Sequence, residues 1–424
     1  MTKHYEHRRH LAQLNRHDLH AYQLQRLNSL LAEILPGNRF YAEKLSGIEL
    51  PLRSLDDLTE LPFTFKDELV AAARDDTPAN LTYPPENYVR FHRTSGTRGR
   101  PLVVLDTPQD WQWWINTWQY VLDASHVTSS DRVLMAFSFG PFIGFWSAFD
   151  AAVARGALVI PSGGLSTLAR LELIRSSRAS MIFSTPTYAM HMVEVAQANQ
   201  IDPRSLGVNR ILVAGEPGGS VPAVRQQIER AWNARVIDHS GASEVGPWGF
   251  PDEKDSGLHI TESEFIAEFL SIETGQPATN GELSELVLTT LGRAGCPVLR
   301  YRTGDLVRPT WSQTGANRFV LLDGGVLGRA DDMMVIRGVN IFPSSVEQIL
   351  RGFPEIVEYR LTAHKNGEMD AISVEIEDRL DQPQRVAREL QLRLGLRINV
   401  TCVPLGSLPR FEGKGKRFVD QRSC

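Results

Sequence analysis

Cysteine is scarce in this chain. Three stand among 424 residues, Cys296, Cys402 and Cys424, far apart and with no CxxC pair. That spacing argues against a disulfide framework or a thiolate metal centre and fits a reducing compartment. Long apolar runs are missing too, since no segment approaches the ~20 residues a membrane-spanning helix requires. The first residues, MTKHYEHRRHLAQL, are charged and lack the apolar stretch of a secretory leader. A soluble, cytoplasmic protein with no membrane partner is expected. Charge of one sign is also modest. The net charge of −5 offers no long-range attraction to nucleic acid or to an anionic membrane. Repeats, low-complexity tracts and a GxxxxGK[ST] phosphate loop are absent. What is present is a chain with 42% hydrophobic residues. Single cores stop growing near ~250–300 residues, so at least two domains are expected. A small molecule is the expected partner.

Leu24, Leu27, Leu30 and Leu31 recur at helical spacing and predict an amphipathic helix over 5–45. His4, His7 and His10 near its start read as a solvated helix end rather than a metal site. Lys66, in the connector LPFTFKDEL, reads as a surface residue beside a turn. From 131 to 240, short apolar runs alternate with longer helical stretches. The strands are predicted at 132–137, 157–161, 180–186, 210–217 and 234–241, and helices at 141–154, 187–199 and 219–233. Continuous apolar strands separated by helices imply βαβ units and a parallel sheet. In such sheets ligands gather outside the carboxyl ends of the strands. Those ends carry STP, AGEP and DHSGASE. After Asp331 the pattern becomes strand, helix (344–352), two strands (356–363, 371–377), helix (383–394) and strand (397–403). The expected fold is therefore α/β: a large N-terminal domain with parallel βαβ sheets, 1–330, and a small α+β C-terminal domain, 331–424.

Two aromatic clusters stand out. Trp111, Trp114 and Trp118 share one helical face and read as core. Phe137, Phe139, Phe142, Phe145 and Trp146 are interleaved with glycines just past a strand. Glycine lets a ligand approach the backbone closely, so an apolar or aryl pocket is an equal alternative to core there.

Residues 94–101 read Thr94-Ser95-Gly96-Thr97-Arg98-Gly99-Arg100-Pro101. Hydroxyls and backbone N–H groups in such a loop can surround phosphate oxygens, and the arginines add charge-assisted contacts. Taken alone, such a stretch is more often only a turn. Six further motifs follow in order: Ala214-Gly215-Glu216-Pro217, Ser240-Gly241-Ala242-Ser243-Glu244, Tyr301-Arg302-Thr303-Gly304-Asp305, Gly328-Arg329-Ala330-Asp331-Asp332, Arg337-Gly338-Val339-Asn340, and Gly413-Lys414-Gly415-Lys416-Arg417. Together they resemble the adenylate-forming superfamily of acyl-CoA synthetases, adenylation domains and luciferases. IRGVNIFPSSVE (336–347), GLHITESEF (257–265) and SEVGP (243–247) are similar to its phenylacetate–CoA ligase branch, and the resemblance covers nearly the whole chain.

The resemblance implies an ATP-dependent acid–thiol ligase. A carboxylate and ATP give acyl-AMP and pyrophosphate, and coenzyme A then displaces AMP. It implies that Thr94, Ser95, Gly96, Thr97 and Gly99 fold over the β- and γ-phosphates and that Glu244 holds Mg²⁺. Gly215, Glu216 and Pro217 would border adenine, Asp305 would take the ribose hydroxyls, and Arg329 would face the nucleotide. Lys414 is the implied catalytic residue, bridging carboxylate and α-phosphate as charge builds in the transition state. Asp331 is the implied hinge of a mobile C-terminal domain, and 337–340 would serve either half-reaction. Phe137, Phe139, Phe142, Phe145 and Gly241 are candidates for the acyl pocket, with an aromatic or arylacetic acid as the implied substrate class. The chain departs from the family pattern at Ser240, where relatives have an aromatic, so either His239 substitutes beside the adenine or the base is held more loosely. Arg98 and Arg100 replace the common Thr and Lys. Two alternatives stay open: a stand-alone adenylation enzyme that loads a carrier-protein thiol in trans, and a non-catalytic nucleotide-binding sensor. A homodimer is left open as well.

Overall fold

The structure is a computed structural model that describes residues 2–73, 77–94, 101–137, 140–254, 256–312, 314–332, 334–336, 339–366, 369–411 and 417–422. The side chains of 2, 3, 145, 335, 339, 340, 366 and 369 lie outside the description as well. The chain divides into two compact units, 1–165 with 237–325, and 166–236 with 326–424. Among the described residues, no helix is long and apolar enough to cross a membrane.

In the first unit, the expected N-terminal helix is three helices, Thr2–Ala12, Arg16–Ile34 and Arg39–Lys44. Asparagines interrupt it. Asn15 and Asn38 take extended backbone, and their side-chain oxygens accept from the N–H groups of Asp18 and Tyr41. An asparagine that caps a new helix this way stabilises the break by about 1 kcal/mol. Leu27, Leu30 and Leu31 pack in a buried cluster with Leu58, Leu291 and Leu299. His4, His7 and His10 are exposed.

The predicted βαβ units are present in both units. Strand Arg132–Met135 leads through helix Ile143–Arg155 to strand Leu158–Pro161, paired parallel with Val133 opposite Val159. In the second unit Met181–Ser184 leads through helix Pro186–Ala198 to Arg210–Ala214, with Ile182 opposite Ile211. Thr185 caps that helix by accepting from Tyr188 N–H, and Pro186 occupies a position whose N–H needs no partner. Gly156, at φ 89°, ends the first crossover helix in the left-handed conformation that glycine adopts without strain.

The sheets are mixed rather than only parallel. Strands Arg235–Ala242, Gly246–Pro251, Gly257–Ile260 and Leu321–Asp323 run antiparallel in succession. Phe265–Ser271, Ser284–Thr290 and Tyr301–Val307 form an antiparallel meander. Arg235–Ala242 matches the strand expected at 234–241, but sequence periodicity hides the others. Gly246–Pro251 reads GPWGFP, and Ser284–Thr290 is buried along its whole length, so neither alternates.

The C-terminal stretch has its own core, in which Met334, Ile341, Val346, Leu361, Val374, Val386 and Leu390 are buried together. Its sheet pairs Ile356–Asn366 with Met369–Asp378 antiparallel, and adds Asn399–Cys402 and Phe418–Asp420 as parallel outer strands. Helices Pro343–Leu350 and Pro383–Leu394 complete the α+β module. The strand Phe418–Asp420, directly after the lysine motif, is additional to the sequence expectation.

Candidate active site

The glycine- and hydroxyl-rich stretch connects two antiparallel strands, Arg90–Arg93 and Val103–Asp106, with Arg93 opposite Val103. Thr94 closes its base. Thr94 N–H donates to the Leu102 carbonyl and Leu102 N–H donates to Thr94 Oγ1, each at 2.9 Å. Ser95, Gly96, Thr97 and Gly99, with Arg98 and Arg100, lie outside the described residues.

The returning strand ends on Asp106, which is fully buried and faces the equally buried Arg293. Arg293 Nε donates to Asp106 Oδ1 at 2.8 Å, and its Nη1 donates to the carbonyls of Ser243 and Glu244 at 3.0 and 2.9 Å. One guanidinium thus ties the strand Val103–Asp106 to the Ser243–Glu244 turn. Burial pushes the Asp106 carboxyl up to about 6, against the opposing pull of Arg293, which leaves it ionised at neutral pH. Glu244 is held a second way, because Tyr301 Oη donates to its Oε1 at 2.7 Å. Lys66 Nζ stands 3.6 Å from the same oxygen. It reaches there because Thr64 docks beside Tyr301, with Thr64 N–H on the Arg300 carbonyl and Arg302 N–H on the Thr64 carbonyl. Tyr301 shares its strand with half-buried Asp305, so Glu244 and Asp305 hang on one frame.

Strand alternation sends His239 and Ser240 to opposite faces. Ser240 is half-buried, opposite Gly249, where an added Cβ would stand 3.2 Å from Ser240 Cβ. His239 turns into the interior, 4.2 Å from the Trp118 ring, with its Nδ1–H donating to the Gly249 carbonyl at 2.6 Å. Burial lowers its pKa to about 4, so the ring is neutral. Trp111, Trp114 and Trp118 are buried as expected, and their indole N–H groups donate to Asp150, Asp106 and Ser147. Phe137 is buried and Phe142 exposed. Phe139 and the Phe145 side chain lie outside the described residues. Gly241 is exposed, but a Cβ there would meet the Gly246 carbonyl oxygen at 2.9 Å.

In the second unit, Gly215 has φ 93° and turns the chain sharply after strand Arg210–Ala214. Glu216 is half-buried, and Thr187 N–H donates to its Oε1 at 2.7 Å, while Pro217 is exposed. Arg329 is exposed on the short strand Gly328–Arg329, and exposed Asp331 lies in the helical turn Ala330–Asp332 that follows. Arg337, Gly338 and Lys414 lie outside the described residues. Arg417, three positions past Lys414, is buried in an ion pair with Glu358 at 2.5 Å.

Asp106, Arg293 and Thr187 escape a reading of the sequence, and Lys66, read there as a surface residue, is part-exposed but also stands beside the Glu244 carboxylate. None belongs to the seven motifs, and what marks them is burial or a contact distant along the chain. Tyr301 belongs to a visible motif, but only the structure gives it a partner.

Comparison with known proteins accounts for this arrangement. Residues 43–288 match the AMP-binding enzyme family, and 338–422 match the AMP-binding enzyme C-terminal domain. A phenylacetate–coenzyme A ligase of Escherichia coli (strain K12) is 34% identical, over 96% of this chain and 95% of its own. One of Thermus thermophilus is 31% identical, over 97% and 98%. A solved 2-hydroxyisobutyryl-CoA ligase in complex with 2-HIB-AMP superposes with a TM-score of 0.91 at 25% identity, covering 97% of this chain and 92% of that one. The chain belongs to the AMP-binding, adenylate-forming enzyme family, on the branch that holds the phenylacetate–coenzyme A ligases.

Proposed function

We propose that this protein ligates an aromatic or arylacetic acid to coenzyme A through an acyl-AMP intermediate. The observation that carries the reading is nearly full-length similarity to four phenylacetate–coenzyme A ligases, 31–34% identical over 95–97% of the chain. The frame around Glu244 supports it. Tyr301 holds the Glu244 carboxylate, and Arg293 ties the Glu244 backbone to Asp106 on the strand Val103–Asp106.

Glu244 fits Mg²⁺ delivered with ATP. Among the described residues, no group of three His, Cys, Asp or Glu forms a protein cage. Magnesium in nucleotide enzymes uses one or two carboxylates, with substrate phosphates and waters completing its shell. When bound, the ion supplies charge neutralisation across the phosphates. The chain's own residues orient the reaction. Thr94 closes the hydroxyl loop, Asp305 takes the ribose, and the turn at Gly215–Pro217 borders adenine. Lys414 bridges carboxylate and α-phosphate during attack, a role carried over from the family motif. Holding both reactants oriented supplies several kcal/mol, up to ~7–11 in favourable cases. The C-terminal module, 331–424, is the mobile domain that carries Lys414, with Asp331 as hinge, and its self-contained core suits movement as a body. Phe137, Phe142 and Gly241 are assigned to the acyl side of the site. Coenzyme A rather than a carrier protein is the acceptor, in a cytoplasmic enzyme.

A pyrophosphate-release screen across aryl, arylacetic, amino and short aliphatic acids tests this reading. Release with aryl or arylacetic acids, followed by coenzyme A-dependent release of AMP, is the expected result. Silence across the panel favours a non-catalytic sensor, and transfer only to a carrier thiol favours the loading enzyme. Lys414→Ala lowers acyl-AMP formation by ~10²–10³-fold, the scale of one lost transition-state donor. Thioester formation from supplied acyl-AMP changes far less. Equal loss in both half-reactions contradicts the assigned role.

A further inference from the structure

Two arginines, Arg410 and Arg417, flank the stretch that carries Lys414. Both are anchored on the same sheet. Glu358 and Glu377 stand directly opposite each other on the paired strands Ile356–Asn366 and Met369–Asp378, and both are buried, at 4% and 0% exposure. Like charges in that position repel, and an unpaired buried carboxylate is strongly destabilising. Each is answered by one of the flanking arginines. Arg417 donates through Nε and Nη2 to the two oxygens of Glu358, at 2.5 and 2.9 Å. Arg410 donates to both oxygens of Glu377, at 3.1 and 2.7 Å. Backbone bonds close the same frame: Leu361 N–H donates to the Arg417 carbonyl at 2.8 Å, and Leu408 N–H to Glu377 at 2.7 Å.

Both arginines have a second reach, towards helix Pro186–Ala198. Arg417 Nη1 donates to Thr187 Oγ1 at 3.0 Å. Arg410 Nε lies 3.6 Å from the Glu194 carboxylate. Thr187 also spends its backbone N–H on Glu216, in the turn assigned to adenine, at 2.7 Å. A single threonine therefore touches both the anchor of the lysine stretch and the nucleotide turn. Nothing in the Arg417–Glu358 pair requires this. The pair already satisfies the carboxylate, and the third guanidinium nitrogen faces both Thr187, at 3.0 Å, and the Glu347 carboxylate, at 3.9 Å.

We propose that Arg417 is a positioning residue and Thr187 its docking partner, a contact that registers the lysine stretch against the nucleotide turn and serves acyl-AMP formation but not thioester formation. The proposal rests on the adenylation reading given above. It differs from a plain structural role in what it predicts for the two half-reactions. A guanidinium that only neutralised Glu358 would support both equally. One that also docks on Thr187 supports the step in which lysine and nucleotide must meet.

Arg417→Ala takes the two-pronged partner from buried Glu358, leaving it Arg351 at 3.8 Å and the Tyr359 N–H, and is expected to fold poorly, so the test uses Thr187→Val in the full chain. That change removes the Oγ1 acceptor and leaves the Arg417–Glu358 pair intact. Two measurements are made: the rates of the two half-reactions, and tryptic cleavage after Lys414 and Lys416 in the presence of ATP. Acyl-AMP formation should fall about tenfold, the order of one hydrogen bond to a charged group. Thioester formation from supplied acyl-AMP should stay within about twofold, cleavage should accelerate, and Thr187→Ser should restore both. Unchanged cleavage and unchanged adenylation would overturn the proposal, and so would equal loss in both half-reactions. Wild-type protein that releases no pyrophosphate with any acid would instead sink the functional reading, and the cleavage rates tell that failure apart from failure of the docking contact.

Discussion

Replacing Arg293 by methionine should be among the most damaging single changes in the first unit, and the structure says by how much. The side chain is fully buried and is hydrogen-bonded to one carboxylate and two carbonyls. Methionine fills much of the volume but donates nothing. Among the described residues, the Asp106 carboxylate would keep one hydrogen bond, from the Trp114 indole N–H at 3.2 Å, with His92 Nδ1 3.9 Å from its other oxygen. Stranding one partner of a buried ion pair costs ~3–5 kcal/mol. The freed carbonyls of Ser243 and Glu244 add less, because a turn can shift to find water. A loss of about 4 kcal/mol in urea unfolding follows, read as a lower midpoint with an unchanged slope. The loss also has a pH signature. Asp106 already has its pKa raised by burial, to about 6 with the arginine in place. Without Arg293 it rises further, so the folded variant binds a proton more readily than the unfolded chain. The deficit should therefore be smaller at pH 5 than at pH 8. Adding Asp106→Asn removes the stranded charge and should recover about half of the lost stability, a non-additivity expected of residues in direct contact. A single variant within about 1 kcal/mol of wild type, or a strictly additive double variant, would refute the reasoning.

His239→Asn tests the buried histidine, because an amide can still donate to the Gly249 carbonyl. Its folded pKa of about 4 lies below the ordinary 6.5, so its contribution is intact above pH 6.5 and is lost as pH falls towards 4. Between pH 7 and pH 5 the variant should lose ~2 kcal/mol less than wild type in chemical unfolding, and parallel pH curves would count against a neutral buried ring. Tyr301→Phe removes the donor on Glu244 while leaving the ring. Acyl-AMP formation should require several-fold more Mg²⁺ for half-saturation, with stability reduced by only ~1 kcal/mol, the net value of one hydrogen bond. An unchanged Mg²⁺ titration would detach Glu244 from the metal.

The crossover strands and helices, the Trp111–Trp118 core face and the C-terminal α+β module were legible in the sequence because a run of six or more residues with one periodicity states its environment directly. Gly246–Pro251 and Ser284–Thr290 did not alternate, and so gave no such statement. Asn15 and Asn38 were single residues, too few to outweigh the helical leucines around them, although each starts a new helix. The site divides along the same line. Glu244, Asp305 and Gly215 lie in short motifs whose composition is unusual enough to notice. Arg293 and Lys66 do not, since an arginine in LGRAGCP or a lysine in FTFKDEL has nothing local to mark it. Their placement depends on residues 187 positions away for Arg293 and Asp106. It depends on the docking of Thr64 beside Tyr301 for Lys66. Groups that meet a ligand are constrained by chemistry to a few residue types in a loop, and this leaves a trace in one short window. Groups that hold those loops in place are constrained only by what lies across the fold. Arg417 belongs to the second class but lies in a visible motif, a basic residue intelligible only once Glu358 and Thr187 stand beside it. A motif arginine of that kind is best assigned by which half-reaction it affects, because its charge alone fits a surface tail, a structural pair or a docking contact equally well.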